Sequence, residues 1–367
     1  MIKLVLNADL NLITNQLKTG PWNLTDLSDV KRNGMKVLST FSCGGGSTMG
    51  YKLAGYDVIG CVEIDPEMLK IYKANHNPKY SYLMGVQEFK KIPDNKLPPE
   101  FFDLDILDGS PPCSSFSMAG AREKKWGKAS MFREGQAVQH LDDLFFDFID
   151  IAKKLKPKVV IAENVKGLIQ GNARGYVKQI FQQFREAGYT TQLFLLNAAF
   201  MGVPQRRERT FFIANRIGGD VKLKFEEKTI SAKKSVEGLK GGGRLINKET
   251  QQYFFWHKSE PGDNFAKHHP KKSSFTSSRV NGDIPMPTVT GQITGHNFHW
   301  NEPRNFSENE IKRFQSFPDN YNFISNEPGY VCGMSVPPFM MQRIADQVYR
   351  QILFRPIGTG CRGVSNG

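Results

Sequence analysis

The run K-V-L-S-T-F-S-C-G-G-G occupies residues 36–46. Its first part, K-V-L-S-T-F at 36–41, predicts a buried strand, and the glycines after it predict a tight turn before a helix near Thr48–Ala54. Glycines at that place let a ligand approach the backbone at the carboxyl end of a sheet. The next strand, D-V-I-G-C-V-E-I-D at 57–65, carries Glu63. An acidic residue about 20 positions beyond such a turn is placed to bind ribose hydroxyls. The pattern points to a nucleoside-containing ligand, a dinucleotide or adenosylmethionine; the alternative is a purely structural turn.

Outward from this unit, strands and helices alternate. A helix is predicted over 66–75, with Pro66 suited to its first turn. D-L-D-I-L-D-G-S at 103–110 predicts a strand ending at a Pro-Pro turn. Leu141, Leu144, Phe145, Phe148, Ile149, Ala152 and Leu155 follow the helical period, and Pro157 ends that helix. A strand at 158–165, a helix near 173–187 and strands near 190–197 and 209–215 complete the series. This order predicts an α/β fold, a mostly parallel sheet with helices on both faces.

Residues 1–34 carry no clear pattern and read as an N-terminal extension. After Ile217 the texture changes: 218–302 are rich in Lys, Gly, Ser and His and read as a smaller, irregular domain. At 307–310 a serine followed three residues later by glutamate predicts a capping box, and a last helix is expected over Pro338–Phe354.

The formal charge of the 367-residue chain is +13, which favours polyanionic partners, nucleic acid or an anionic membrane surface. No apolar run approaches the ~18 residues of a membrane span, and the polar start is unlike a secretory signal. The five cysteines, Cys43, Cys61, Cys113, Cys332 and Cys361, are scattered and odd in number. They suit reduced thiols in the cytoplasm, with no disulfide framework and no zinc site.

Three further constellations fall at the ends of strands. G-S-P-P-C-S-S-F-S at 109–117 presents Cys113 in a small-residue turn, as a nucleophile or as an inert buried thiol. E-N-V at 163–165 offers a carboxylate that holds a proton or caps a helix. Q-R-R-E-R at 205–209 is a solvated basic face or an anion site.

Taken together and in this order, the blocks resemble the DNA cytosine-5 methyltransferase family of bacterial modification enzymes. The likeness covers about 35–217 and 286–352 and includes R-N-F-S-E-N-E-I-K-R-F-Q-S-F-P at 304–318 and G-M-S-V-P-P at 333–338. It implies a Rossmann-like class I methyltransferase sheet over 35–217, a small target-recognition domain over 218–328, ended by P-M-P-T-V-T at 285–290 in its reading part, and a C-terminal segment, 329–367, returning to the catalytic domain.

The resemblance also implies roles. Phe41, Gly44, Gly45, Gly46, Glu63, Ile64, Leu144 and Ser335 would hold S-adenosylmethionine. Cys113, beside Pro112, would be the nucleophile, Glu163 would meet the flipped cytosine at nitrogen 3 and its amino group, and Asn164 would order the Pro112 loop. Arg207 and Arg209 would face the cytosine carbonyl and the active-site side chains, and 118–134 would close over DNA. The chain departs from the family pattern at Cys43 (usually glycine), at Ile64 (often aromatic), near Gly85–Glu88 (no aspartate) and at Met334 (usually asparagine).

The implied enzyme is a cytoplasmic, nucleoid-associated monomer acting on duplex DNA, with or without a restriction endonuclease of the same site. Within the small domain Arg244 and Arg279 are candidates for base reading, since arginine to guanine is the commonest specific contact. Phosphate contact is the alternative for both, while Lys233, Lys234, Lys271 and Lys272 suit phosphate or solvent. Rival functions are a tRNA cytosine-5 methyltransferase of the same fold, a catalytically inactive DNA-binding relative, and a nicotinamide-dependent dehydrogenase.

Overall fold

The computed structural model describes residues 14–112, 143–170, 174–270, 277–291, 293–324 and 328–354, with the backbone alone at 129–130, 139–140 and 294–295. Seven strands form the main sheet: β1 (Lys36–Thr40), β2 (Asp57–Glu63), β3 (Tyr80–Leu83), β4 (Ile106–Gly109), β5 (Val159–Val165), β6 (Thr190–Asn197) and β7 (Glu208–Asn215). Their spatial order is β3-β2-β1-β4-β5-β7-β6. The first five run parallel, and β7 is antiparallel to both its neighbours. The order reverses between β1 and β4. At such a switch point the connections leave in opposite directions and open a crevice at the carboxyl ends. The Gly-rich turn follows β1 and the Pro-Pro turn follows β4, so the topology alone brings the two motifs together.

Both faces of the sheet are covered, which is why its strands read as apolar runs. Val37, Ile106, Val159, Ile161, Phe211 and Ile213 face one cluster, built with α1 (Gly46–Leu53) and α8 (Pro338–Val348). Leu38, Leu107, Val160 and Phe212 face the other, built with α3 (Leu144–Leu155) and α4 (Arg174–Glu186). Helix α2 (Pro66–His76) starts at Asp65, whose side chain accepts from the N–H groups of Glu67 and Met68. Helix α3 ends at Lys156, which turns left-handed (φ 52°) ahead of Pro157. Helices α1 and α8 lie unusually close: a Cβ on Gly50 would stand 2.5 Å from the Cβ of Met341.

The region beyond β7 holds short helices, α5 (Gln251–Lys258), α6 (Glu308–Phe314) and α7 (Pro328–Met334). The expected capping box opens α6: Ser307 and Glu310 bond reciprocally. Ile246, Phe255, Trp256, Phe265 and Phe298 form a separate small core. Among the described residues no helix is long and apolar enough to cross a membrane.

Three elements differ from expectation. Strand β3 has no apolar signature: Y-S-Y-L sits at the sheet edge, where two tyrosines suffice. The last helix ends at Val348 and continues as a π-turn over Tyr349–Leu353. The N-terminal extension is, in its described part, a strap across α8. Trp22 is buried and donates to the carbonyl of Ser316 at 2.9 Å; the N–H of Lys18 donates to Gln342 Oε1, and the Lys18 carbonyl accepts from Arg343.

Candidate active site

The Gly-rich half of the crevice is built on a bent turn. Phe41 (φ 52°) and Cys43 (φ 44°) are left-handed without being glycine, a conformation that costs roughly 1–2 kcal/mol per residue. Glu63, at the end of β2, supports the turn: Oε2 accepts the N–H of Cys43 at 2.7 Å and Oε1 that of Asp65 at 2.9 Å. Burial raises the Glu63 carboxyl above its ordinary range, and those N–H groups hold the rise down.

Packing by itself requires the three glycines. A Cβ on Gly44 would meet Val331, on Gly45 the ring of His76, and on Gly46 the carbonyl of Val336. The turn is pressed against α2 on one side and the C-terminal 331–336 segment on the other. Ser335 belongs to that segment; its hydroxyl donates to the carbonyl of Val331 at 2.7 Å. Phe41 lies 6.4 Å ring to ring from Phe148, Leu144 is fully buried at the start of α3, and Ile64 is half-buried beside Gly85.

The other half is built on the end of β5. Asn164 is buried; its Nδ2 donates to the carbonyl of Pro111 at 2.9 Å, and its Oδ1 accepts from Val165 N–H. Pro112 follows, half-buried. Cys113 and most of 118–134 lie outside the described residues. Glu163, next to Asn164, pairs with Arg209 at 3.0 Å, the two side chains being 12% and 15% exposed. Strand β7 carries Arg209 directly opposite Val165, so the antiparallel pairing makes this contact.

The two arginines separate. Arg207 is buried and gives its guanidinium to three carbonyls: Val289 at 2.9 Å, Gly333 at 2.9 Å and Ser335 at 3.1 Å. It ties the start of β7 to Val289 and to the 333–335 turn. Burial, then the neighbouring Arg209, pulls its pKa down. Gln205, quoted in the same block but given no role, is a second brace: it donates to Phe314 carbonyl and Gln315, and accepts from Val289 N–H.

Sequence reading also passed over Asp108. It stands on β4 opposite Ser39, is 2% exposed, and accepts from Ser39 at 3.1 Å and Tyr51 at 3.1 Å. A carboxylate in an apolar strand was its only visible signal.

Beyond β7, Arg244 is exposed, and its side chain makes no hydrogen bond among the described residues. Arg279 is not available in the same way. It donates to the carbonyls of Trp300 (2.8 Å) and Ser259 (2.6 Å) and stacks 4.1 Å over Trp256. Two of its guanidinium nitrogens are thus engaged in holding the small core together. Lys233 and Lys234 are exposed, while Lys271 and Lys272 lie outside the described residues.

Three of the other four thiols are described, and all are unpaired. Burial raises Cys43 to about 12 and Cys61 to about 12, and Cys332 well above its ordinary value. None is a thiolate nucleophile at neutral pH.

A family model described as C-5 cytosine-specific DNA methylase matches residues 35–350. The chain is 28% identical over 339 residues to the type II methyltransferase M1.HphI of Haemophilus parahaemolyticus, covering 86% of this chain and 87% of that protein. It is 30% identical over 346 residues to the type II methyltransferase M.Sau96I of Staphylococcus aureus, covering 87% and 75%. A crystal structure named for a DNA modification methyltransferase encoded within an E. coli prophage superposes with a TM-score of 0.64 at 21% identity, covering 88% of this chain and all of that one. This last likeness bears on the fold.

Proposed function

The chain belongs to the C-5 cytosine-specific DNA methylase family, and on that premise we propose that it methylates carbon 5 of a cytosine flipped out of a specific duplex DNA sequence. The methyl donor is S-adenosylmethionine, and the reaction runs through a covalent bond from Cys113 to carbon 6. The observation that carries this reading is the end of β5, where Asn164 holds the Pro111 carbonyl at 2.9 Å while the adjacent Glu163 meets Arg209 at 3.0 Å. A brace on the Pro-Pro-Cys turn and a carboxylate–guanidinium pair thus share one strand end.

Carbon 5 of cytosine is a weak nucleophile. Addition of the Cys113 thiolate to carbon 6 makes the ring enamine-like, and charge builds at nitrogen 3 and the carbonyl. A proton held by Glu163 neutralises it at nitrogen 3. Arg209, whose partner is Glu163, is the guanidinium suited to the carbonyl side. Carbon 5 then takes up the donor's methyl group, leaving a neutral thioether, and loss of the proton on carbon 5 with expulsion of the Cys113 thiolate restores the ring.

The residues present fit the donor. Each Glu63 oxygen accepts one backbone N–H and keeps lone-pair capacity for a ribose hydroxyl. Phe41, Ile64, Leu144 and the backbone of Gly44–Gly46 would line the remaining surface, with Ser335 behind the turn. When bound, S-adenosylmethionine supplies an electrophilic methyl group on a sulfonium.

Extrusion of the base costs a few kcal/mol, and phosphate contacts from a chain of net charge +13 offset it. The names of the relatives extend the proposal to a type II modification role, with a restriction endonuclease of the same site as functional partner. Bisulfite sequencing of DNA from cells expressing the protein tests the reading. Protected cytosines at one position of one sequence motif are expected. An unmodified genome together with methyl transfer to tRNA contradicts it.

A further inference from the structure

We propose that Tyr321 is a positioning residue for the methyl donor: its hydroxyl holds the carbonyl of Gly44, and the N-terminal strap holds Tyr321, so that the Gly-rich turn keeps the conformation the donor meets. The inference rests on the proposed function and deepens it. The Tyr321 hydroxyl donates to the Gly44 carbonyl at 2.5 Å, across 277 positions of sequence. Its ring is buried and lies between Phe317 and Phe323, with centroids 4.9 Å and 4.8 Å away. Burial pushes the phenol well above its ordinary pKa, so the hydroxyl remains a donor at working pH. From the other side, His76 of α2 brings Nε2 to 3.2 Å from the same carbonyl. There is no slack at this point: a Cβ on Gly44 would stand 3.0 Å from the phenol oxygen and 2.3 Å from Val331.

The turn needs such a hold. Phe41 and Cys43 are left-handed without being glycine, and strain of that kind persists only where the surroundings over-determine it. Glu63 fixes the turn at the N–H of Cys43, and Tyr321 fixes it at the carbonyl of the next residue, Gly44. The two supports differ in role. Glu63 keeps lone pairs for a ribose hydroxyl, whereas Tyr321 is buried and acts only through the turn.

The strap brackets the loop that carries Tyr321. The N–H of Asp319 donates to the Trp22 carbonyl at 2.8 Å, and the N–H of Leu24 donates to Asn320 Oδ1 at 2.8 Å. Trp22 Nε1 donates to the Ser316 carbonyl at 2.9 Å. On the other side of the loop, Asn322 and Asn75 of α2 exchange two bonds, at 2.9 Å and 2.8 Å. Trp22 and Leu24 lie ahead of 35–350, the region that the family model matches. A segment outside that region is thus joined to the Gly-rich turn through a single loop.

The consequence concerns preorganisation. Without the Tyr321 hydroxyl the turn relaxes in the donor-free protein, and only the fraction still in the tight conformation binds. Apparent affinity falls by that fraction. The donor-bound turn is the same, so the rate at saturating donor is kept.

Calorimetry of S-adenosylmethionine with full-length Tyr321→Phe, beside methylation rates at saturating donor, tests the inference. The Kd should rise about five- to tenfold, the worth of one buried hydrogen bond, with the saturated rate unchanged. The variant loses one oxygen, and a thermal melt checks that it is folded. Trp22→Phe keeps an aromatic ring and removes the bond to Ser316. It should raise the Kd about two- to threefold alone and add nothing in the Tyr321→Phe background. Its effect alone carries the test if Tyr321→Phe does not fold. An unchanged Kd in either variant, a saturated rate that falls as far as the affinity, or full additivity of the two substitutions overturns the inference and leaves the methyltransferase reading intact. Absence of S-adenosylmethionine binding by the wild type overturns that reading and the inference with it.

Discussion

Asn164 joins the end of β5 to Pro111 through one hydrogen bond of 2.9 Å, and Pro111 stands two residues before Cys113. Asn164→Ala leaves the Pro111 carbonyl without this donor, a loss of about 1–3 kcal/mol for a buried group. The loss falls on the turn that leads to the proposed nucleophile. Single-turnover methylation should slow by about tenfold or more, with cofactor affinity unchanged. Stopped quench assays beside calorimetry check this; an unaltered rate would remove Asn164 from the positioning role.

Arg207 and Arg209 should fail differently. Arg207→Ala abandons three buried carbonyls and should destabilise the fold by at least ~3 kcal/mol, seen as a large fall in urea midpoint. Arg207→Lys should not rescue it, because a single ammonium cannot reach all three. Arg209→Ala should keep most of the stability and lose turnover by about a hundredfold, the usual cost of removing a charge-stabilising donor. Equal losses of stability in the two variants would contradict the separation.

The alternation of strands and helices, the two motif-bearing turns and the capping box at Ser307 and Glu310 were legible because each is local: apolar period, turn glycines and cap residues lie within a few positions of one another. What escaped was long-range. Trp22 meets Ser316 across 294 positions, and Arg207 meets Ser335 across 128. Nothing in the local sequence marks such partners. Arg279 reads as a free arginine in a basic stretch until Trp256 and two carbonyls are folded around it. Asp108 was hidden for the opposite reason, a lone acid in a strand whose three hydroxyl partners come from β1 and α1.

The N-terminal strap should matter for stability. Trp22→Ala removes a buried aromatic side chain together with its bond to Ser316, at about 3–5 kcal/mol. Deleting residues up to Gly34 should lower the melting temperature at least as much. A truncated protein that melts with the full chain would show that 1–34 is an extension after all.

Arg244 and Arg279 should also divide. Arg244→Ala should relax preference at one position of the recognised sequence, at roughly 1–3 kcal/mol if it reads a base. Arg279→Ala should leave the sequence preference intact and destabilise the small core. Methylation of a randomised duplex library, read beside thermal melts, separates them; a preference altered by Arg279→Ala and untouched by Arg244→Ala would reverse the assignment.

The proposed covalent bond from Cys113 is tested most directly by trapping it. Duplex DNA carrying 5-fluorocytosine at the target cannot lose a proton from carbon 5, so the adduct should persist. Mass spectrometry of the digested complex, formed with S-adenosylmethionine, should find the nucleotide on the peptide containing Cys113. It should find none in Cys113→Ala, whose half-buried Cys43 and buried Cys61 and Cys332 are held protonated. Attachment to another residue, or turnover retained by Cys113→Ala, would contradict it.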